Sequence, residues 1–213
     1  MTWVLANLDA IGASAWAHLW LAVPAVIASF LLAVPLGWVA HRYRWSRFTL
    51  VTAAGLLYAI PSLPLLIMLP LLLGTTVRDR VNVIVALTLY GIALMVRSAA
   101  DAFDAVSGDV MLSAQAMGYS RWSRVLAVEL PLAGPSLLAG LRVVGVSTVA
   151  LVTISAVLGV DSLGRLFTDG FQRGLTEEVM AGLVLTVVMA LTLDALVVLG
   201  GRVLLPWTKG VRP

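Results

Sequence analysis

The chain has 213 residues, of which 61% are hydrophobic and 12% charged, with a mean hydropathy of +1.01. Such a composition excludes a soluble domain and marks an integral membrane protein, with room for five or six helical spans of ~20 residues and none for a separate extramembrane domain. Cysteine is absent, which rules out disulfides, thiolate metal sites and thiol catalysis, and the basic residues behind the pI near 9.8 are scattered among loops, which gives no case for nucleic acid.

The amino-terminal MTWVLANLDA lacks the basic start of a signal peptide and is read as mature sequence. A charge-free stretch between His18 and His41 gives a first span over 17–40, which Pro24 and Pro35 are expected to bend. The second, 49–73, holds Pro61, Pro64 and Pro70 in its outer half, which should be irregular. The third, 81–96, is short for a bilayer unless Arg97 snorkels to the headgroups. After a polar segment come a fourth span, 132–158, and a fifth, 179–205, closed by Pro206 and the interfacial aromatic Trp207. The expected fold is one all-α transmembrane domain over 1–213 with five spans.

Five spans place the termini on opposite sides. With the amino terminus outside, the inner segments hold Arg42, Arg44, Arg47, Arg97, Arg121, Arg124, Arg202, Lys209 and Arg212, against Arg78, Arg80, Arg165 and Arg173 outside. That asymmetry follows the positive-inside tendency and makes the polar segment 97–131 cytoplasmic, with the carboxyl terminus on the same side.

Within that segment, Met111 to Met117 is built of helix formers, and Gly118 is expected to end or bend the helix. Tyr119, Trp122 and Leu126 then recur at helical spacing, with Arg121, Ser123 and Arg124 on other faces, until Pro131 should force the chain to restart as a membrane helix. Such an amphipathic helix fits either a groove on a partner or the headgroup layer, and spacing alone leaves both open. Glu129, Asp101, Asp104 and Asp109 read as solvated or partner-facing charges and not as a catalytic acid/base pair.

The order of residues in SAQAMGYSRWSRVLAVELPLAGP resembles the cytoplasmic loop signature of permease subunits of binding-protein-dependent ABC importers. That pattern has a glutamate and two alanines, three residues, a glycine, nine residues, then isoleucine, one residue and Leu-Pro. Here Ser113 and Ala114 fall on the alanine positions, Gly118 on the glycine, Val128 on the isoleucine, and Leu130 and Pro131 on the Leu-Pro, while Leu112 replaces the glutamate. The pieces YAIPSLPLL (58–66), VELPLAGPSLLAGLRVV (128–144) and VLGVDSLGRLFTDGF (157–171) are similar to the osmoprotectant branch, which imports glycine betaine, carnitine or choline. Val160, Asp161 and Ser162 depart from the glycine-rich turn usual there.

The resemblance implies a type I ABC importer permease fold in a bacterial or archaeal cytoplasmic membrane. It also implies partners: two ATP-binding subunits, a second permease, identical or related, and an extracytoplasmic substrate-binding protein. Ser113, Ala114, Gly118, Tyr119, Trp122, Val128, Leu130 and Pro131 would then form the contact with the ATPase. The chain has no phosphate-binding G-x-x-x-x-G-K-[ST] loop and its only lysine is Lys209, so hydrolysis belongs to a separate subunit and no cofactor is expected. Alternatives are an importer of another small solute such as an amino acid, an ATPase-independent channel or ion-coupled carrier, and a nontransporting assembly subunit.

Two charges fall inside spans, each costing about 2.5–3.5 kcal/mol at a helix centre on insertion scales. Arg142 and Asp194 both lie about ten residues from the cytoplasmic end of their spans, so at ~1.5 Å per residue they share a depth of roughly 15 Å and are expected to pair, as a helix tie or as a gate. Trp16, Trp20, Tyr58 and Tyr90 are candidates for a cation-binding path, with packing or an aromatic belt as the other reading. No set of residues reads as a metal site.

Overall fold

The structure, a computed structural model, describes residues 2–207; among them there are helices and no strand. In chain order the helices are α1 (Thr2–Ala6), α2 (Leu8–Arg42), α3 (Arg44–Ala59), α4 (Ser62–Leu73), α5 (Arg80–Asp104), α6 (Gly108–Ala116), α7 (Arg121–Leu158), α8 (Gly164–Arg173) and α9 (Thr176–Leu204). Four of these, α2, α5, α7 and α9, are each long and apolar enough to cross a membrane.

The most extensive contact joins α2 to α5. Along α2 the buried residues Ala22, Ala25, Ser29, Ala33, Gly37 and Ala40 recur every three or four positions, forming one small-residue stripe on a helix face. Opposite it stand Ala86, Gly91, Ala99 and Ala100 of α5. Small residues matter here because lipid removes the hydrophobic drive between helices and leaves close van der Waals approach in its place. At Gly91 an added Cβ would sit 2.1 Å from Ser29 Oγ, and at Gly37 it would sit 2.3 Å from Ala99 Cβ. Larger side chains of α4, α5 and α7, among them Leu66, Leu69, Leu87 and Val149, close one half of the core; Met95, Phe103 and Leu137 close the other.

α2 and α5 run in the same direction. His41, near the end of α2, bonds Asp104 at the end of α5, whereas Arg80 at the start of α5 shares a cavity with Trp3 and Trp16 beside the start of α2. The chain between them must therefore return across the molecule, and α3 with α4 does so. The stretch of the expected span over 49–73 is built of two helices bent by 103°. Their 16 and 12 residues are each shorter than the ~20 needed to cross alone.

The break falls at Ile60–Pro61. Ile60 is extended (φ −67°, ψ 126°), as a residue before proline tends to be, while Pro61 sits just outside α4 and Pro64 and Pro70 are absorbed within it. The irregularity expected of all three prolines is thus concentrated at one. Tyr90 donates its hydroxyl proton to the carbonyl of Ile60, which satisfies a backbone acceptor at the break.

Other expectations are corrected in the same way. α2 stays one helix through Pro24 and Pro35 and starts well before residue 17. The third helix does not stop at 96 but continues to Asp104, because Ala99, Ala100, Ala102 and Phe103 keep the buried stripe going past Arg97. α9 begins at Thr176, slightly before the expected 179. Most different is Pro131, which restarts nothing. The chain widens into a π turn over Val125–Glu129, with the Leu130 amide bonding Val125 O, and α7 runs unbroken from Arg121. A π turn just ahead of a proline moves the preceding carbonyls away from the ring and tolerates its missing N–H.

Replacing Gly91 with valine should overpack the α2–α5 contact and cost about 1–3 kcal/mol or more. Thermal unfolding of the detergent-solubilised chain is expected to show a lower midpoint for Gly91→Val, while Gly12→Ala, which meets nothing within 4 Å, should leave it near wild type.

Candidate functional site

Between α5 and α7 the chain forms a compact projection. α6 ends in a Schellman-type cap: Gly118 takes φ +85°, its amide bonds Gln115 O at 3.0 Å, and the Tyr119 amide bonds Ala114 O at 3.2 Å. Ser120 then caps α7, its hydroxyl accepting from the Ser123 amide at 3.2 Å. Both ends of the turn are hydrogen-bonded, so the short α6 is fixed in place despite having few contacts of its own. Of the residues singled out by the loop pattern, Ala114 is buried under α6, Ser113 is exposed and its hydroxyl bonds Asp109 O at 2.8 Å, and Val128, Leu130 and Pro131 are half-buried.

The projection leaves large apolar groups in the open. Leu112, Met117, Trp122 and Leu126 are each about two-thirds exposed, and Tyr119 is exposed as well. An apolar patch of this kind on a fixed, capped helix pair is the usual form of a surface that a partner covers. The amphipathic helix expected to end at Pro131 is in fact the first part of α7, and the separate short helix is α6.

Contacts that sequence reading missed hold this projection to the bundle. Trp38 of α2 stacks on Trp122 with ring centroids 5.9 Å apart, and its indole N–H donates to Glu129 Oε2 at 2.9 Å. Arg124 reaches Gln115 Oε1 at 3.1 Å, tying α7 to α6. Arg47 of α3 donates to Asp101 and Asp104, and His41 bonds Asp104 as well. Asp101, Asp104 and Glu129 therefore each have a partner inside the chain, while Asp101 and Asp104 remain open to solvent. A cavity of about 550 Å³ lies behind the projection, lined by Trp38, His41, Phe103, Trp122 and Glu129 among others.

Arg142 and Asp194 do meet. Nε and Nη2 of Arg142 donate to Oδ1 and Oδ2 of Asp194 at 2.6 and 2.8 Å, a bidentate pair joining the middle of α7 to the middle of α9. The pair is open on the outer surface of the chain, Arg142 with 46% of its side chain exposed. One turn from it on each helix, the same face exposes the apolar Val146 and Leu191.

The four candidate aromatics form two separate couples. Trp16 and Trp20 are edge to face with centroids 6.2 Å apart beside the start of α2, and Tyr58 and Tyr90 are edge to face at 6.0 Å beside the Ile60–Pro61 break. Tyr90 is buried and its hydroxyl is engaged by the Ile60 carbonyl, so the structure gives it a role in holding the break. At the opposite end of the molecule from α6, Arg165 of α8 bonds Asp161 at 2.7 Å, and that carboxylate holds the guanidinium even more firmly protonated than usual.

Residues 30–210 match the model of the family described as "binding-protein-dependent transport system inner membrane component". The chain belongs to this family. It is a multi-pass transporter permease, and curated relatives resemble it along most of their length. The osmoprotectant import permease protein OsmW of Salmonella typhimurium is 30% identical over 214 residues, covering 99% of this chain and 98% of OsmW. The choline transport system permease protein OpuBB of Bacillus subtilis is 29% identical, covering 89% and 86%. The carnitine transport permease protein OpuCD of Listeria monocytogenes is 28% identical, covering 85% and 80%. Among solved structures, the inward-facing MetNI methionine ABC transporter superposes with a TM-score of 0.75 at 20% identity, covering 92% of this permease and 94% of that chain. The fold is thus that of a type I ABC importer permease.

Breaking the mid-helix pair from one side should harm the permease more than removing both charges. Asp194→Asn, which strands the Arg142 guanidinium on an apolar face, is expected to lower the melting temperature of the solubilised protein, and adding Arg142→Gln should recover part of the loss. Additive losses across the four proteins would contradict a coupled pair.

Proposed function

We propose that this permease is the translocation subunit of an ATP-driven importer of osmoprotectants such as glycine betaine, carnitine or choline. The observation that carries the reading is the capped projection at Gly118, which presents Leu112, Met117, Trp122 and Leu126 together with the ABC-importer loop pattern at one end of a helical bundle. The substrate class is supported by relatives named for osmoprotectant, choline and carnitine transport, which align over most of the chain.

The same end of the bundle carries Arg42, Arg44, Arg47, Arg97, Arg121, Arg124 and Arg202 of the described residues, and the opposite end carries Arg78, Arg80, Arg165 and Arg173. This asymmetry supports a cytoplasmic projection and an amino terminus outside. With α3–α4 crossing once, α2, α3–α4, α5, α7 and α9 make five passes, as that orientation requires. Ser113, Ala114, Gly118, Tyr119, Trp122, Val128, Leu130 and Pro131 then form or brace the contact with an ATP-binding subunit, two of which serve the complex.

The exposed Arg142–Asp194 pair supports a second permease, identical or related, lying against the outer face of α7 and α9. Only 6% of the apolar window of α9 is buried within the chain, and a charged pair at mid-helix is costly to leave against lipid. Closure of the ATP-binding subunits, transmitted through α6 into α7, opens the path between the two permeases to the cytoplasm. An extracytoplasmic binding protein delivers cargo at the opposite end.

The chain has no cysteine, so Ser113→Cys introduces a unique thiol. It is expected to cross-link to the ATP-binding subunit and to resist an impermeant maleimide applied to intact cells. Uptake of labelled glycine betaine should be lost when the phosphate-loop lysine of that subunit is replaced. A thiol labelled from outside, or uptake that survives and follows an ion gradient, would refute the importer reading.

A further inference from the structure

At the end of the bundle opposite α6 lies a second cavity of about 550 Å³, within the ~300–1,000 Å³ range of small-molecule sites. Its walls come from the start of α2, the start of α5, α8 and the start of α9. Three tryptophans, Trp3, Trp16 and Trp20, face it, and Trp16 and Trp20 are more than half exposed. Glu178, in the first turn of α9, also lines it. The residue is only 3% exposed, and its Oε2 has no hydrogen-bond partner among the described residues.

A buried carboxylate oxygen with no partner is costly, and its cost is removed by a cation brought to it. The other acids of the cavity do not share its situation, since Asp161 and Asp169 both pair with Arg165, at 2.7 and 3.6 Å. No three described carboxylates or histidines are grouped as metal ligands would be, which argues against an inorganic cation. Aromatic faces beside a buried carboxylate are instead the chemistry that holds an alkylated ammonium, by cation–π attraction and direct charge, and here the guanidiniums of Arg173 and Arg165 act on that carboxylate without bonding its Oε2. Arg80 and Arg173 line the same cavity and complement the anionic end of a zwitterion.

We propose that this cavity binds a small group bearing a substituted ammonium, held by the carboxylate of Glu178 and the rings of Trp16 and Trp20. The ammonium belongs either to a dissolved solute or to a lipid headgroup. In the first case the site deepens the importer reading, on which it then rests, by giving cargo a stop at the outer mouth.

Choline, which carries the ammonium without an anionic end, is the probe. Titrated calorimetrically into the full-length permease in phosphatidylglycerol nanodiscs, it should bind saturably, and E178Q should weaken binding by about tenfold or more. E178Q keeps the side-chain shape and removes a buried carboxyl oxygen that has no hydrogen-bond partner among the described residues, so it should fold like wild type; if it does not accumulate, Trp16→Ala, at an exposed position, is expected to weaken binding several-fold. Repeating the titration with phosphatidylethanolamine in the disc separates the sources: lost apparent affinity assigns the site to headgroups, and unchanged affinity assigns it to solute. Absence of saturable choline binding, or wild-type affinity in both variants, overturns the proposal. Binding is read without ATP or uptake, so its failure and that of the importer reading are distinguishable.

Discussion

The close approach of α2 and α5 governs the rest of this molecule. Two helices lying parallel, with Ser29 against Gly91 and Gly37 against Ala99, leave no room at either glycine even for a Cβ. In lipid that proximity supplies the packing energy that water would otherwise supply through burial. Because the helices point the same way, the chain must cross back between them, and the bent pair α3–α4 meets that demand. The bend exposes backbone groups that need partners, and the Tyr90 hydroxyl on α5 provides one for Ile60. Core packing, return crossing and broken helix are thus a single connected solution.

The same contact sets where functional groups stand. α2 carries other residues to both ends of the small-residue stripe, bringing Trp38 and His41 under the projection at one end and Trp16 and Trp20 to the cavity that Glu178 lines at the other. Charges near the projection are consumed in fixing it: Arg47 and His41 join α2 and α3 to the last turn of α5. What remains open for a partner includes the apolar Leu112, Met117, Trp122 and Leu126, flanked by Asp109, Ser113 and Arg121.

Much of this was legible in the sequence for identifiable reasons. Long charge-free runs located the apolar helices, Gly118 marked a left-handed turn because only glycine adopts φ +85° at little cost, and the equal depths of Arg142 and Asp194 foretold their pairing. The misreadings came from treating local signals as decisive. Pro131 was expected to break the chain, yet a π turn absorbed it; Arg97 was expected to end a helix whose buried stripe continues for two more turns. The Trp38 contacts join residues 84 and 91 positions apart, and Glu178 looks like any acid at a helix start, so neither left a local trace. The small residues at Ala25, Ser29, Ala33 and Gly37 did leave one, a four-residue repeat within the first apolar run.

Continuity through Pro131 has a mechanical corollary. From Arg121 to Leu158 the chain is a single beam of 38 residues, about 57 Å long at ~1.5 Å per residue, with one end beside Trp38 and the other close to Arg78. Pivoted near one end, a beam of that length moves its far tip by about 5 Å for each ~5° of rocking. A small rocking at the end beside Trp38 is therefore carried through the π turn at Val125–Glu129 to the end beside Arg78 as a displacement of several ångströms.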